Sequence, residues 1–184
     1  MSVNQNMTEH QKKILTTPYD PTVGKVRKPV PQPEFDNEMK NKHFQYTYLN
    51  GWDYEFYVPD ETRIIYKISG GPMNGRNNFQ ETFYQRIRKN IWQVNWLEET
   101  GTIVSLVIDI DEKRISTLIA FSEGHWENSN LAHGYKVQDL ERWRELSKIG
   151  TQTSRYLLPE QAILNKIYDG PGDLPLIDNS WNTY

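Results

Sequence analysis

From Phe44 onward the chain alternates with a period of two, and this constrains the fold more than any other feature. Phe44, Tyr46 and Tyr48 fall on one face, with Gln45 and Thr47 on the other. Asn50-Gly51 follows, a strong short hairpin signal, and it predicts a turn with both residues at positive φ. The return strand reads Trp52 to Val58 and is closed by Pro59-Asp60; a third strand spans Arg63 to Ile68. It runs into Ser69-Gly70-Gly71-Pro72-Met73-Asn74-Gly75-Arg76, where the glycines permit tight backbone geometry. Further strands are predicted near 79–88, 91–98, 102–110 and 113–121, with turns at Gly101 and 109–113, and a last strand at 161–168. Residues 138–149 read as the one clear helix, with Leu140, Trp143 and Leu146 on a stripe and Gly150 as a C-cap candidate. Six to eight strands in a meander predict an all-β fold. A closed antiparallel barrel removes sheet edges and encloses a small ligand cavity.

Composition narrows what such a barrel does. Hydrophobic residues make up only 36% of the 184, yet the chain holds 11 Tyr and 6 Trp, which bury large areas while keeping a polar handle. A net charge of -3 argues against a broad nucleic-acid surface. The absence of Cys removes disulfides, thiolate catalysis and Cys-based zinc sites. No apolar run is long enough for a membrane span, and the first 20 residues lack the apolar core of a signal peptide, so a soluble cytoplasmic protein is expected. Residues 1–40 hold five of the ten prolines and read as an extended, Pro-rich N-terminal arm preceding a barrel domain at 41–184 with an irregular C-terminal tail. The arm is either a flexible tail or a wrap around the barrel or a partner subunit, anchored by Tyr19, Val26, Val30 and Phe35.

Several residues could carry chemistry. In Ile91–Glu98 the alternation puts Trp92, Val94, Trp96 and Glu98 on one face. If that face is interior, Glu98 is an inward carboxyl, which needs a partner or a proton; otherwise Glu98-Glu99 is a solvated strand end. Tyr46 and Tyr48 share a face, so their hydroxyls either converge on one anion or belong to ordinary aromatic packing. Arg76 could grip a carboxylate with its fork, either the substrate's or that of Glu98, or it could be a surface arginine. His10, His43, His125 and His133 show no metal-ligand spacing, so no metal is expected, and no nucleotide or cofactor motif is present.

The motifs resemble those of the phenolic acid decarboxylase family. Tyr46-Thr47-Tyr48-Leu49-Asn50-Gly51-Trp52-Asp53-Tyr54-Glu55 is similar to its Y-T-Y-x-N-G-W-x-Y-E stretch. Trp96-Leu97-Glu98-Glu99-Thr100-Gly101-Thr102-Ile103-Val104-Ser105-Leu106 is similar to W-x-E-x-T-G-T-x-V-S-L, and the segment from Ile68 to Gly75-Arg76 to the loop I-x-x-G-x-x-x-G-R. The three stand in the family's order, and the resemblance covers about residues 42–168. It departs from the bacterial pattern at Asn77-Asn78, where an aromatic follows the loop arginine, at Pro72-Met73, and in the long N-terminal segment, and looks more like a fungal branch.

The resemblance implies a lipocalin-like barrel, usually a homodimer, that removes CO2 from p-coumaric, ferulic or caffeic acid without a cofactor, bound to neither nucleic acid nor membrane. It implies Tyr46, Tyr48, Arg76 and Glu98 as catalytic residues, with Tyr54, Tyr66, Trp96 and Met73 around the substrate. A para-hydroxyl makes such chemistry possible. Protonating the alkene Cα while the phenol loses its proton gives a quinone-methide-like intermediate, and loss of CO2 restores the ring. Glu98 is the expected proton donor. Tyr46 and Tyr48 are expected to hold one charged end of the substrate, either its carboxylate, or its phenolate while Arg76 holds the carboxylate. Two other classes are a non-catalytic barrel that binds a small aromatic acid and an interaction protein that recruits partners through its Pro-rich arm.

Overall fold

In the structure, a computed structural model that describes residues 7–17 and 30–184, the alternation becomes a barrel. The strands are β1 (Lys42–Tyr48), β2 (Asp53–Asp60), β3 (Arg63–Ile68), β4 (Arg76–Arg88), β5 (Ile91–Leu97), β6 (Ile103–Asp109), β7 (Arg114–Ser122), β8 (Gly134–Tyr135) and β9 (Arg155–Asp169). They lie in the order β3-β2-β1-β9-β7-β6-β5-β4-β8, and β3 also pairs with β4, which closes an eight-stranded antiparallel ring with β8 appended. Two long strands make the closure possible. β4 pairs β3 through residues 77–81 and β5 through 82–88; β9 pairs β7 through 155–163 and β1 through 162–169. Each side of the period-two pattern then has one destination: Phe44, Tyr46, Tyr48, Trp92, Val94 and Trp96 all point into the interior core.

The β1–β2 hairpin differs from its expected turn. Gly51 has φ 87, but Asn50 is not in the left-handed region. Gly51 N–H donates to the Tyr48 carbonyl at 2.8 Å and Tyr48 N–H to the Trp52 carbonyl at 2.9 Å. This is the three-residue loop in which a single glycine supplies the positive φ. The Asn50 side chain accepts from Trp52 N–H at 3.1 Å instead of its backbone turning over.

Helices close the two ends. The expected helix runs as α4 (Lys136–Leu146), with Leu140, Trp143 and Leu146 buried as their spacing required. It lies across the barrel end where β1–β2, β3–β4 and β5–β6 turn, together with α3 (Glu123–Glu127). The other end is stoppered by α2 (Phe35–Glu38), where Phe35 packs 5.0 Å from Tyr84 and 5.9 Å from Trp92 between ring centroids. Glu38 ties this stopper down by accepting from Arg86 Nη2 at 2.8 Å and Trp92 Nε1 at 2.8 Å.

Part of the segment expected to be extended is helical. α1 (Glu9–Thr16) carries a capping box between Thr8 and Gln11, and buries Leu15 in an outer cluster with Val137, Leu140, Leu174 and Trp181. Within the single chain Val30 is 73% exposed, whereas Phe35 is buried; Tyr19 and Val26 lie outside the described residues. No helix is long and apolar enough to cross a membrane among the described residues.

Candidate active site

The helix-capped end of the barrel holds a narrow, largely apolar cavity. Its wall takes in all eight residues singled out in the sequence: Tyr46, Tyr48, Tyr54, Tyr66, Met73, Arg76, Trp96 and Glu98. Each arrives from the end of an element. Tyr46 and Tyr48 close β1, Tyr54 opens β2, Tyr66 lies near the end of β3 and Trp96 near the end of β5. Met73 comes from the glycine-rich loop, which ends as Gly75 takes φ 86 and delivers Arg76 as the first residue of β4. That strand starts three residues before its predicted start at 79, and this is why Arg76 is buried rather than at the surface.

Glu98 follows β5 and keeps its inward alternation. Its N–H donates to the Thr102 carbonyl and its carbonyl accepts from Gly101 N–H, both at 2.8 Å, so the chain turns tightly over Gly101 at φ 82. The turn carries both acids of Glu98-Glu99 inside, each residue 5% exposed, so the solvated strand end is excluded for both. Every oxygen of Glu98 is held. Oε1 accepts a short hydrogen bond from the Tyr66 hydroxyl and another from Trp96 Nε1 at 3.3 Å. Oε2 accepts from Arg76 Nη2 at 3.1 Å and from the Thr100 hydroxyl at 3.4 Å.

Arg76 is wholly enclosed. Nη1 donates to the Ala132 carbonyl at 2.9 Å, Nη2 also donates to Glu99 at 2.5 Å, and the guanidinium lies 3.8 Å over the Trp143 ring. Burial works against its charge, but Tyr66, Glu98 and Glu99 together raise it above the ordinary arginine value, so it stays a cation.

Burial pushes the cavity tyrosines up: Tyr48 to about 12, and Tyr46, Tyr54 and Tyr66 well above the usual phenol. They are therefore neutral donors at physiological pH. The Tyr46 and Tyr48 rings meet edge to face at 5.3 Å, and Tyr54 packs on both at 5.9 and 5.1 Å. The Tyr48 hydroxyl also lies 3.2 Å from that of Thr117.

Several polar residues of the site were given no role from sequence. Glu99 accepts from Gln80 Nε2 at 2.6 Å and Asn78 Nδ2 at 3.1 Å, and pairs with Lys136 Nζ at 3.0 Å. Burial opposes its charge, but Lys136 and Arg76 outweigh that and hold its carboxyl at about 2. Burial brings Lys136 down to about 8, with Glu99 resisting, so the pair is charged at neutral pH. His125 and Thr102 join them on the cavity wall. Only the neighbouring carboxyl in Glu98-Glu99 was a visible signal; the rest come together through long-range packing. Among the described residues no cluster of His, Asp and Glu gathers as a metal cage.

The arrangement is an aromatic slot with neutral hydroxyl donors, a buried carboxyl and a fixed cation behind it, which suits proton transfer to a flat aromatic anion. The sequence pattern of the phenolic acid decarboxylase (PAD) family matches residues 37–174. Phenolic acid decarboxylase PadC of Bacillus subtilis (strain 168) is 32% identical over 121 residues, 65% of this chain and 75% of that protein. A protein of Vibrio cholerae serotype O1, described as a probable phenolic acid decarboxylase, is 36% identical over 81 residues, covering 44% of this chain and 47% of its own length. With a matched span that includes the whole cavity wall, the chain belongs to the phenolic acid decarboxylase family and is a decarboxylase of small phenolic acids.

Proposed function

We propose that the enzyme decarboxylates 4-hydroxycinnamic acids such as p-coumaric, ferulic and caffeic acid to 4-vinylphenols and CO2, with Glu98 as the proton donor. The observation that carries this is the Glu98 carboxyl, 5% exposed and facing the same cavity as Tyr46, Tyr48, Tyr54 and Tyr66. A substrate carboxylate entering that space sets two acids in one low-dielectric cavity, which favours a proton shared between them. Glu98 passes it to the substrate Cα as the phenol releases its own proton to solvent. The resulting quinone methide breaks its bond to CO2, the electron pair forms the vinyl group, and the phenol regains a proton. Each turnover thus consumes one proton, which returns to Glu98. Tyr46 and Tyr48 donate hydrogen bonds to one anionic end of the substrate, while Arg76, engaged by Glu99, orients the Glu98 carboxyl.

The reading is tested by incubating the protein with p-coumarate and with cinnamate. Loss of p-coumarate absorbance with stoichiometric CO2 is expected, and no conversion of cinnamate, which lacks the 4-hydroxyl. Efficient turnover of cinnamate would eliminate the quinone-methide route.

The working form is proposed to be a cytoplasmic homodimer. The support is an apolar patch on the outside of β6, β7 and β9. Ile103 pairs with Ala120 and Ala120 with Leu157, while Leu118 pairs with Pro159 in the adjacent row. Ile103, Leu118 and Leu157 are 51%, 48% and 59% exposed, a cluster a second copy could cover. Light scattering is expected to give the mass of two chains for the native protein and of one for the Leu118→Glu/Leu157→Glu variant. An unchanged mass in the variant would remove this face from the interface.

A further inference from the structure

We propose that His125 is a further substrate-binding residue, whose Nε2–H donates a hydrogen bond to the anionic end of the bound phenolic acid; this rests on the decarboxylase reading above. The case begins with the backbone. Ser122 caps α3: its hydroxyl accepts from His125 N–H at 3.3 Å and donates to the Thr100 carbonyl at 2.6 Å. A side chain at Gly124 would stand 2.1 Å from the Leu146 carbonyl oxygen, so only glycine lets α3 sit this close to the end of α4. The next residue, His125, is thereby seated in the cavity wall at 2% exposure.

The two ring nitrogens then differ sharply. Nδ1 meets the Thr102 hydroxyl at 2.8 Å and the Thr100 hydroxyl at 3.0 Å. The Thr102 oxygen already accepts from Ser122 N–H, so its own proton is free to point at Nδ1. We assign that proton to the Thr102–Nδ1 contact, which makes Nδ1 an acceptor and leaves the ring proton on Nε2. Burial, with Arg76 adding to it, lowers the imidazole well below the usual histidine value, so the ring is neutral. Nε2 is buried and has no hydrogen-bond partner among the described residues. A buried donor without an acceptor is costly, and such groups are conspicuous where a ligand completes the bonding.

The chemistry of the missing acceptor follows from the surroundings. Nδ1 lies 3.8 Å from Glu98 Oε2, so the imidazole stands at the end of the cavity where the acid works. Arg76 there already spends its fork on Glu98, Glu99 and the Ala132 carbonyl. An oxyanion of the substrate is the acceptor that fits. A neutral N–H has a further advantage over a second cation: it stabilises the anion without adding a positive charge that would oppose protonation of Glu98.

The test uses 3-(4-hydroxyphenyl)propanoate, whose saturated side chain has no alkene carbon to protonate. Protein with 15N-labelled histidine and tryptophan is titrated with it, and His125 is assigned from its loss in His125→Asn. Expected is an acceptor-type Nδ1 in the free protein and a downfield move of the Nε2 proton at saturation, alongside a change at Trp96 Nε1–H. In turnover of p-coumarate, His125→Asn keeps a polar atom near the Nδ1 position but loses the Nε2 donor, and is expected to raise KM about tenfold with kcat little changed. His125→Gln, whose amide reaches the Nε2 position, is expected to recover most of that. A Trp96 signal that responds while His125 Nε2 does not, or a native KM in folded His125→Asn, overturns the proposal and leaves the decarboxylase reading standing. If neither signal responds at saturating ligand, the phenolic-acid reading falls and this one with it.

Discussion

Glu98→Gln is expected to lower kcat for p-coumarate by about 10²–10⁴ while the barrel stays folded, the range typical for loss of a positioned general acid. The substitution keeps the shape of a side chain that is almost completely enclosed. The amide oxygen can still accept from the Tyr66 hydroxyl and Trp96 Nε1, the two donors now on Oε1. What disappears is the only buried carboxyl on the cavity wall among the described residues, and an amide cannot deliver a proton to an alkene carbon. Substrate contacts from the tyrosines are untouched, so KM is expected to change far less than kcat, as when an interaction confined to the transition state is removed. Steady-state kinetics read the effect, and circular dichroism with a thermal melt confirms the fold. A folded Glu98→Gln enzyme with kcat within tenfold of the native value would take the proton donor's role away from Glu98.

The legibility of this site follows the range of the forces that build it. Alternation acts over two residues, so from sequence it put Tyr46 with Tyr48 and Trp96 with Glu98 on shared faces while leaving the direction of Glu98 open, and all four line the cavity. Arg63–Ile68 was legible to the residue because β-branched and aromatic side chains run between clear turn signals. Longer range brought errors. β9 begins at Arg155, not near 161, because Pro159 and a mostly exposed stretch disguise a strand that pairs only with β7 there. α1 has a capping box, but it sits in a segment that holds five of the ten prolines, and it is held by α4 and the C-terminal tail rather than by its own propensity. Lys136 meets Glu99 across 37 positions of sequence and His125 meets Thr102 across 23, and no local period encodes either encounter. The polar half of the site is therefore a product of the tertiary fold, while its aromatic half is written in the strands.

Glu99→Gln is expected to reduce the unfolding free energy at pH 7 by about 3–5 kcal/mol, the usual cost of stranding one side of a buried ion pair. The Glu99 side chain has no exposed surface, and neither do those of Arg76 and Lys136. One carboxylate thus serves two buried cations, and its removal leaves them facing each other with only Glu98 nearby. Lys136 cannot swing out to water, because Nζ also donates to the carbonyls of Phe79 at 2.6 Å and Thr183 at 2.7 Å. Adding Lys136→Met to Glu99→Gln removes one stranded cation, so the double variant is expected to be more stable than Glu99→Gln alone. Acidity gives an independent reading with a definite sign. The folded carboxyl titrates at about 2 against an ordinary 4.5, so the stabilisation is complete above about pH 4.5 and is lost as pH falls toward 2. Urea denaturation across that window is expected to show native stability falling more steeply than that of Glu99→Gln, so the two curves converge in acid. A Glu99→Gln protein within 1 kcal/mol of native at pH 7, or parallel curves down to pH 2, would mean that Arg76 and Lys136 are stabilised by groups other than Glu99.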